Sequence, residues 1–278
     1  IFIYTPRGKN HGYQLARMAE KNDKWFYSRK TADDTEREDG RPVISGEAID
    51  DERQSGMSED MVQQEFYCSF EAATPGAYYS KEMKAARSEG RITKVPVDKT
   101  LPVSTYWDLG VADSTAIWLV QQLGGEIRIV DYYENSGEGL DHYVMWLTDW
   151  RNAHGVEFDR HIAPHDIEVR ELSTGKSRRE LAMNLGIYFE IAPKLPIMDG
   201  INAARVILSR CWFDEDACEQ GINCLTDYTK DYDEKNQCWR TTPKHDWTSH
   251  GADAFRYLAL SLRETMGRRT TIQVVGRC

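Results

Sequence analysis

Val103-Ser104-Thr105-Tyr106-Trp107-Asp108-Leu109-Gly110 decides how the chain is read, because a run of β-branched and aromatic side chains ends there in an acid and a turn. Beyond the turn, Thr115 to Gln122 and Ile127 to Tyr133 read as two further strands joined across Gly124-Gly125. Consecutive strands on short links predict an antiparallel meander, with Asp108 where the first strand leaves the sheet. A carboxylate at that place is either a turn residue, since Asp bonds its own backbone, or a metal ligand.

Working outward toward the C-terminus, Leu140, Tyr143, Val144, Leu147 and Trp150 recur at helical spacing and predict a helix to about Ala153 with one face on the sheet. Phe158 to Ala163 predicts a strand that ends in Pro164-His165-Asp166. If it runs parallel to the first strand and beside it, Asp108 and Asp166 emerge together at the carboxyl edge, where open α/β sheets place ligands. Two carboxylates about 4 Å apart repel by roughly 1 kcal/mol in water and several times that at lower dielectric, and a divalent cation reverses the sign. Next come a helix from Ser177 to Asn184, a strand from Ile187 to Ile191, a helix from Ile197 to Arg210 packing through Ile201, Ala204 and Leu208, and a helical stretch from Asp214 to Asp227. Tyr228 to Trp247 reads as a hairpin or an ordered loop. Ser249-His250-Gly251-Ala252-Asp253 then opens a helix whose Ala252, Phe255, Ala259 and Leu262 share a face, with Asp253 in the first turns, where unpaired amides favour negative charge. The tail Gly267 to Cys278 is basic and then apolar, a candidate last strand.

Toward the N-terminus, Ile1 to Tyr4 and Trp25 to Tyr27 read as short strands, Tyr13 to Lys21 as a helix, and Ser58 as the cap of a helix running through Phe66. Glu71 to Leu101, punctuated by Gly76, Gly90 and Pro96, holds one short helix near Ser80 to Ser88 and reads as a passage between units. A chain that starts without Met in a strand-like run is expected to be a piece of a longer polypeptide.

The 278 residues suffice for one large or two modest domains. A formal charge of -10 argues mildly against a broad nucleic-acid surface, although residues 19–71 alone hold 15 acids against 7 Lys and Arg. The six cysteines contain no CxxC pair. Cys218, Cys224 and Cys238 lack a well-spaced His, so reduced thiols are expected rather than structural zinc. No apolar run approaches the roughly 20 residues that span a bilayer, and no signal-peptide pattern opens the chain, so a soluble intracellular protein is expected.

Thr174-Gly175-Lys176-Ser177 ends like a phosphate-binding P-loop, but Arg170 stands where the upstream glycine is required and nucleotide binding is not expected. The stretch reads instead as a helix start at which the Gly175 amide, Lys176, Arg178 and Arg179 meet a nucleic-acid backbone, with Lys194, Arg205 and Arg210 extending the patch; the alternative is an ordinary solvated helix face. The larger constellation is Asp108, Asp166 and Asp253, from two strand ends and a helix start. Hard cations such as Mg²⁺ and Mn²⁺ prefer oxygen ligands, and two of them activate a water and stabilise the leaving 3′ oxygen of a phosphodiester. Asp113 is a supporting ligand or the residue that orders its turn. His165 orients Asp166 or a water, or bonds locally, and His250 caps its helix or approaches the substrate.

These residues resemble the C-terminal part of the large terminase subunit of tailed double-stranded DNA bacteriophages. Thr5-Pro6-Arg7-Gly8-Lys9-Asn10-His11-Gly12 resembles the family's coupling motif, and Trp107-Asp108-Leu109-Gly110, Pro164-His165-Asp166 and His250-Gly251-Ala252-Asp253-Ala254-Phe255 resemble its nuclease motifs in order. The resemblance implies an α/β fold of RNase H-like type, a mixed central sheet flanked by helices. Residues 1–75 would be the end of an ATPase domain, 76–100 a linker and 101–278 the nuclease domain. It implies an endonuclease that cuts concatemeric viral DNA during genome packaging, with Asp108, Asp166 and Asp253 holding two Mg²⁺ or Mn²⁺ ions. Implied partners are double-stranded DNA, the small terminase subunit and the portal protein, in the cytoplasm of the infected host, with the isolated piece monomeric. Walker segments are absent from this chain, so it is expected to lack its own ATPase activity. A junction resolvase or transposase-like nuclease would share the acids, and a non-catalytic docking module would share only the fold.

Overall fold

The computed structural model describes residues 1–6, 11–70, 76–110, 114–170, 175–233, 235 and 238–271, with side chains described to Leu262. The N-terminal part carries helices α1 (His11–Glu20), α2 (Gly46–Gln54) and α3 (Glu59–Glu65). Ser45 and Ser58 start the last two, their hydroxyls accepting from the amides of Ala48 at 3.2 Å and Met61 at 3.3 Å. Ala32, Ile49 and Val62 form a small core there. Ile1 to Tyr4 and Trp25 to Tyr27 are not strands. Both runs have strand-forming side chains, but an isolated strand leaves its backbone groups unpaired.

The rest of the chain builds one large sheet. In order come α4 (Ser80–Ser88), β1 (Ile92–Thr93), β2 (Val103–Asp108), β3 (Ser114–Leu123), β4 (Glu126–Ser136), α5 (Leu140–His154), β5 (Phe158–Ala163), a 3₁₀ turn (His165–Glu168), α6 (Arg178–Asn184), β6 (Phe189–Ile191), α7 (Ile197–Leu208), β7 (Cys211–Asp214), α8 (Glu219–Asp227), the hairpin strands β8 (Lys230–Asp233) and β9 (Cys238–Pro243), and α9 (Ser249–Thr271). The seven-stranded sheet has the order β1-β7-β4-β3-β2-β5-β6. β2, β3 and β4 are the antiparallel meander, and every other pairing is parallel.

Alternation along the strands sends side chains to two faces. Val103, Trp107, Ile117 and Leu119 pack with Tyr143, Leu147 and Trp150 of α5. On the other face Tyr106, Trp118 and Val120 pack with Ile201 and Ala204 of α7 and with Phe255 and Leu258 of α9. Asp108 has the parity of Tyr106 and therefore belongs to the α9 side.

Tyr78, Tyr79, Met83, Ala86 and Ile92 lie in that same second core, and β1 pairs with β7. The stretch read as a passage between units is thus built into the body of the sheet. β7 is a strand the sequence reading did not assign: Cys211 to Asp214 slots between β1 and β4, and α8 begins only at Glu219, not at Asp214. At the far end α9 continues past Met266 to Thr271, where the tail was expected to leave the helix. Residues 272–278 of the candidate last strand lie outside the described residues.

Candidate functional site

β2 and β5 run parallel and adjacent, with Thr105 opposite His161 and Tyr106 opposite Ile162. Continuing that register brings Asp108 out at the same edge as the Pro164-His165-Asp166 turn, as the parallel arrangement required. Asp253 comes from the start of α9. Its place there is fixed by Trp118, which is fully buried and whose indole N–H donates to the Gly251 carbonyl at 2.8 Å. A Cβ at Gly251 would stand 2.6 Å from the Tyr132 hydroxyl, so only glycine lets the helix start sit this close to the sheet.

Asp108 has 18% of its side chain exposed, and Oδ2 accepts from Nδ1 of His250 at 2.9 Å. Burial pushes its pKa up to about 6, against the pull of the His250 hydrogen bond. The charges of Asp253 and Asp166 push it further in the same direction, so both lie within electrostatic reach of Asp108. On Asp253 the contacts fall on one oxygen: Oδ1 accepts from Arg256 Nε at 3.0 Å, Arg256 Nη2 at 2.8 Å and the Tyr228 hydroxyl at 3.1 Å. Tyr257 feels the charges of the three acids: burial first, then the Asp108 charge, raises its pKa, with Asp253 and Asp166 adding to the shift and Arg256 opposing it.

Asp166 is exposed on its 3₁₀ turn, and His165 beside it is exposed without a hydrogen-bond partner among the described residues. Asp113 lies outside the described residues, as do residues 7–10 of the Thr5 to Gly12 motif and Thr174. Among the described residues no three His, Cys, Asp or Glu side chains converge tightly enough to hold a metal ion. The donor set nevertheless suits a hard cation: it is carboxylate oxygen, with one member driven toward neutrality by burial first and by its neighbours' charges besides.

The basic residues divide. Arg178 Nη1 donates to the Leu109 carbonyl at 3.1 Å, which brings α6 against the loop that follows Asp108. Arg179 is paired with Glu168 at 2.7 Å, and Arg205 donates to the Tyr78 carbonyl at 3.0 Å and to Asn202 at 3.2 Å. Arg205 therefore braces α7 against the segment before α4 instead of presenting its charge. Lys176 and Lys194 are exposed. Ser177 caps α6 through a reciprocal bond with Glu180, 2.8 Å from the Ser177 amide to Oε2 and 3.1 Å back to the hydroxyl. A cavity of about 430 Å³ lined by Ser104, Gly124, Arg160 and Arg210 lies at the other edge of the sheet, away from the acids.

Tyr228, Arg256 and Tyr257 were missed by sequence reasoning. The signal for Arg256 was present: it is the lone charge between Ala254 and Leu262, a stretch otherwise apolar apart from Tyr257 and Ser261, and a buried cation demands a partner.

No protein-family model matches the chain, and no curated protein does. Among solved structures it is similar to the large terminase from a thermophilic bacteriophage, at 18% identity and a TM-score of 0.51 over 93% of this chain and 62% of that one. The same terminase in complex with ADP matches at 19% identity and 0.51, over 92% and 60%. The nuclease domain of the large terminase from bacteriophage SPP1 with bound Mn matches at 17% and 0.43, over 59% and 86%, a more distant likeness of outline. The chain spans about three-fifths of the length of the thermophilic-phage terminase. At these identities the likeness is one of fold, and the fold is the expected α/β one, an RNase H-like mixed sheet flanked by helices.

Proposed function

We propose that this chain is the C-terminal part of a large terminase subunit and acts as a metal-dependent endonuclease on double-stranded viral DNA during genome packaging. In this reading residues 1–75 end the ATPase domain, and the sheet that follows is the nuclease. What supports the reading is that Asp108, at the carboxyl edge of two adjacent parallel strands, feels the charges of both Asp253 and Asp166, on a fold shared with a phage terminase.

Asp108, Asp166 and Asp253 would hold the cations, Mg²⁺ or Mn²⁺ and two in number. Bound there, they supply an activated water and neutralise the charge on the leaving 3′ oxygen. The protein's own part is to gather and orient charge. His250 fixes the rotamer of Asp108 through Oδ2 and leaves Oδ1 for the cation. Asp253, gripped at Oδ1, presents Oδ2. Arg178 holds the backbone after Asp108, and it, Lys176, Arg179 and Lys194 would be the cations that meet a DNA backbone. Asp113 is a candidate supporting ligand. DNA, the small terminase subunit and the portal protein are the partners the reading implies, within the infected bacterial cell; among the described residues no helix is long and apolar enough to cross a membrane.

Supercoiled plasmid incubated with the protein and Mn²⁺ or Mg²⁺ should be relaxed and linearised, and Asp108→Ala and Asp253→Ala should abolish both. If both variants cut at the unaltered rate, the centre is misassigned. Preference for a branched junction over linear duplex would mark a resolvase instead.

A further inference from the structure

Asp253 is held by more than its own helix. Arg256, one turn on, is 5% exposed and spends two of its nitrogens on a single carboxylate oxygen, at 2.8 and 3.0 Å. Burial pulls its pKa down, and the Asp253 charge, together with Tyr228, Tyr257 and the hydrogen bond to Asp253, more than offsets that. Room for the arginine stem comes from Gly200 on α7, where a Cβ would meet Arg256 Cβ, Cδ and Nη1 at 3.4 Å. The third donor to the same oxygen is the hydroxyl of Tyr228, 1% exposed, at 3.1 Å. Its ring packs against those of Tyr78 and Tyr79, with centroids at 5.3 and 5.9 Å, and its carbonyl accepts from the Tyr78 amide at 2.8 Å. Three buried donors converging on one oxygen leave Oδ2 with no hydrogen bond among the described residues.

We propose that Arg256 and Tyr228 are positioning residues that clamp Oδ1 of Asp253 so that Oδ2 faces Asp108 as a preformed ligand for the divalent cation, with Tyr78 and Tyr79 bracing the clamp from the segment that precedes α4. The proposal rests on the metal-dependent reading of Asp253. Partners that orient a ligating carboxylate typically contribute 10–100-fold in metal affinity or activity. The arrangement makes the site depend on α4, and so on the segment joining the N-terminal part to the sheet.

The test is Mn²⁺ binding by calorimetric titration and by Mn²⁺ electron paramagnetic resonance. It is run on the full chain, on Asp253→Asn, Arg256→Gln, Arg256→Lys and Tyr228→Phe, with thermal melts in EDTA alongside. Asp253→Asn should lose tight Mn²⁺ binding; if it binds as the parent does, the metal reading of Asp253 fails and the clamp falls with it. Given that loss, Arg256→Gln should weaken Mn²⁺ affinity of the folded protein on the order of 10–100-fold, with Arg256→Lys recovering part of it, and Tyr228→Phe should weaken it about 10-fold. A purely structural role would lower the melting temperature and leave Mn²⁺ affinity alone, which overturns the proposal. Tighter Mn²⁺ binding by Arg256→Gln overturns it too, because the guanidinium would then compete with the metal. Should Arg256→Gln not fold, Tyr228→Phe, which deletes one oxygen and keeps the ring, decides between these outcomes.

Discussion

Replacing Asp108 by Asn should make the metal-free protein more stable at neutral pH. The carboxyl is driven up to about 6 from an ordinary 3.8, by burial above all and by Asp253 and Asp166 besides. An acid whose pKa is raised in the folded state binds its proton more tightly there, so the unfolded chain ionises first as pH rises. Stability is therefore lost between about pH 4 and pH 6 and stays lost above. A rise of roughly two pKa units corresponds to about 3 kcal/mol at pH 7.5, and to about 1 kcal/mol at pH 4.5, where little of the folded protein has ionised. Only 18% of the side chain is exposed, so solvent screening removes little of this. Asn keeps the shape, and its amide oxygen still accepts from His250. Urea denaturation in EDTA should show Asp108→Asn more stable than the parent by about 1–3 kcal/mol at pH 7.5, with the gap narrowing as pH falls toward 4. Addition of Mn²⁺ should reverse the ranking, since only the parent gains a bound cation. Equal stability of the two proteins in EDTA at pH 7.5 would refute the idea that Asp108 is held charged against its surroundings.

The acid side has a second signature. Burial takes the His161 pKa down to about 4, and its Nδ1 lies 2.6 Å from the Thr105 hydroxyl, so its ring should stay neutral in an NMR titration until about pH 4. Because the unfolded chain binds that proton first, His161 costs stability as pH falls from about 6.5 toward 4, and a mutant lacking the imidazole should lose less over that window. Gly221→Val places carbon into the Trp118 ring, against which α8 already packs closely, and should cost about 1–3 kcal/mol in chemical denaturation with loss of the α9 start as a secondary effect. DNA binding by this acidic chain should be weak and should fall steeply between 50 and 200 mM salt in a filter-binding titration; tight binding that survives high salt would contradict the local-patch reading.

Where a segment's own pattern carries its burial, the sequence was legible. The β2 to β4 meander alternates, α5 repeats its apolar residues on one face, and β5 ends at a Pro-His-Asp turn, each close to the observed bounds except that β4 runs three residues past Tyr133 to Ser136. β1 and β7 were not legible for a physical reason: with Ile92–Thr93 and Cys211–Asp214 as their whole extent, neither contains enough of a period to be distinguished from a loop. They are strands only because each finds a distant partner, β1 on β7 across more than a hundred residues of sequence and β7 on β4 as well. Ile1 to Tyr4 shows the converse, since a good strand former without a partner strand does not pair.

The site was legible to the same degree and for a related cause. An acid at a strand end is as readily a turn residue as a ligand, and what marked Asp108 and Asp166 at two strand ends and Asp253 at a helix start was the three together and the resemblance of their motifs. What holds them is hidden, because Arg256 and Tyr228 look like an ordinary helical cation and a loop aromatic until the fold brings α9 over residues 228 and 79. The two carboxylates at the buried end differ in consequence. Asp253 has a cation at 2.8 Å and three donors, whereas Asp108 has one imidazole and two like charges nearby. The unpaid electrostatic cost therefore collects on Asp108, and a divalent cation arriving between them gains most by relieving that residue. Metal affinity should accordingly fall as pH drops through about 6, where Asp108 takes up its proton, and Asp108→Asn should flatten that dependence. A Mn²⁺ titration giving the same affinity at pH 5 and pH 7.5 would place the binding elsewhere.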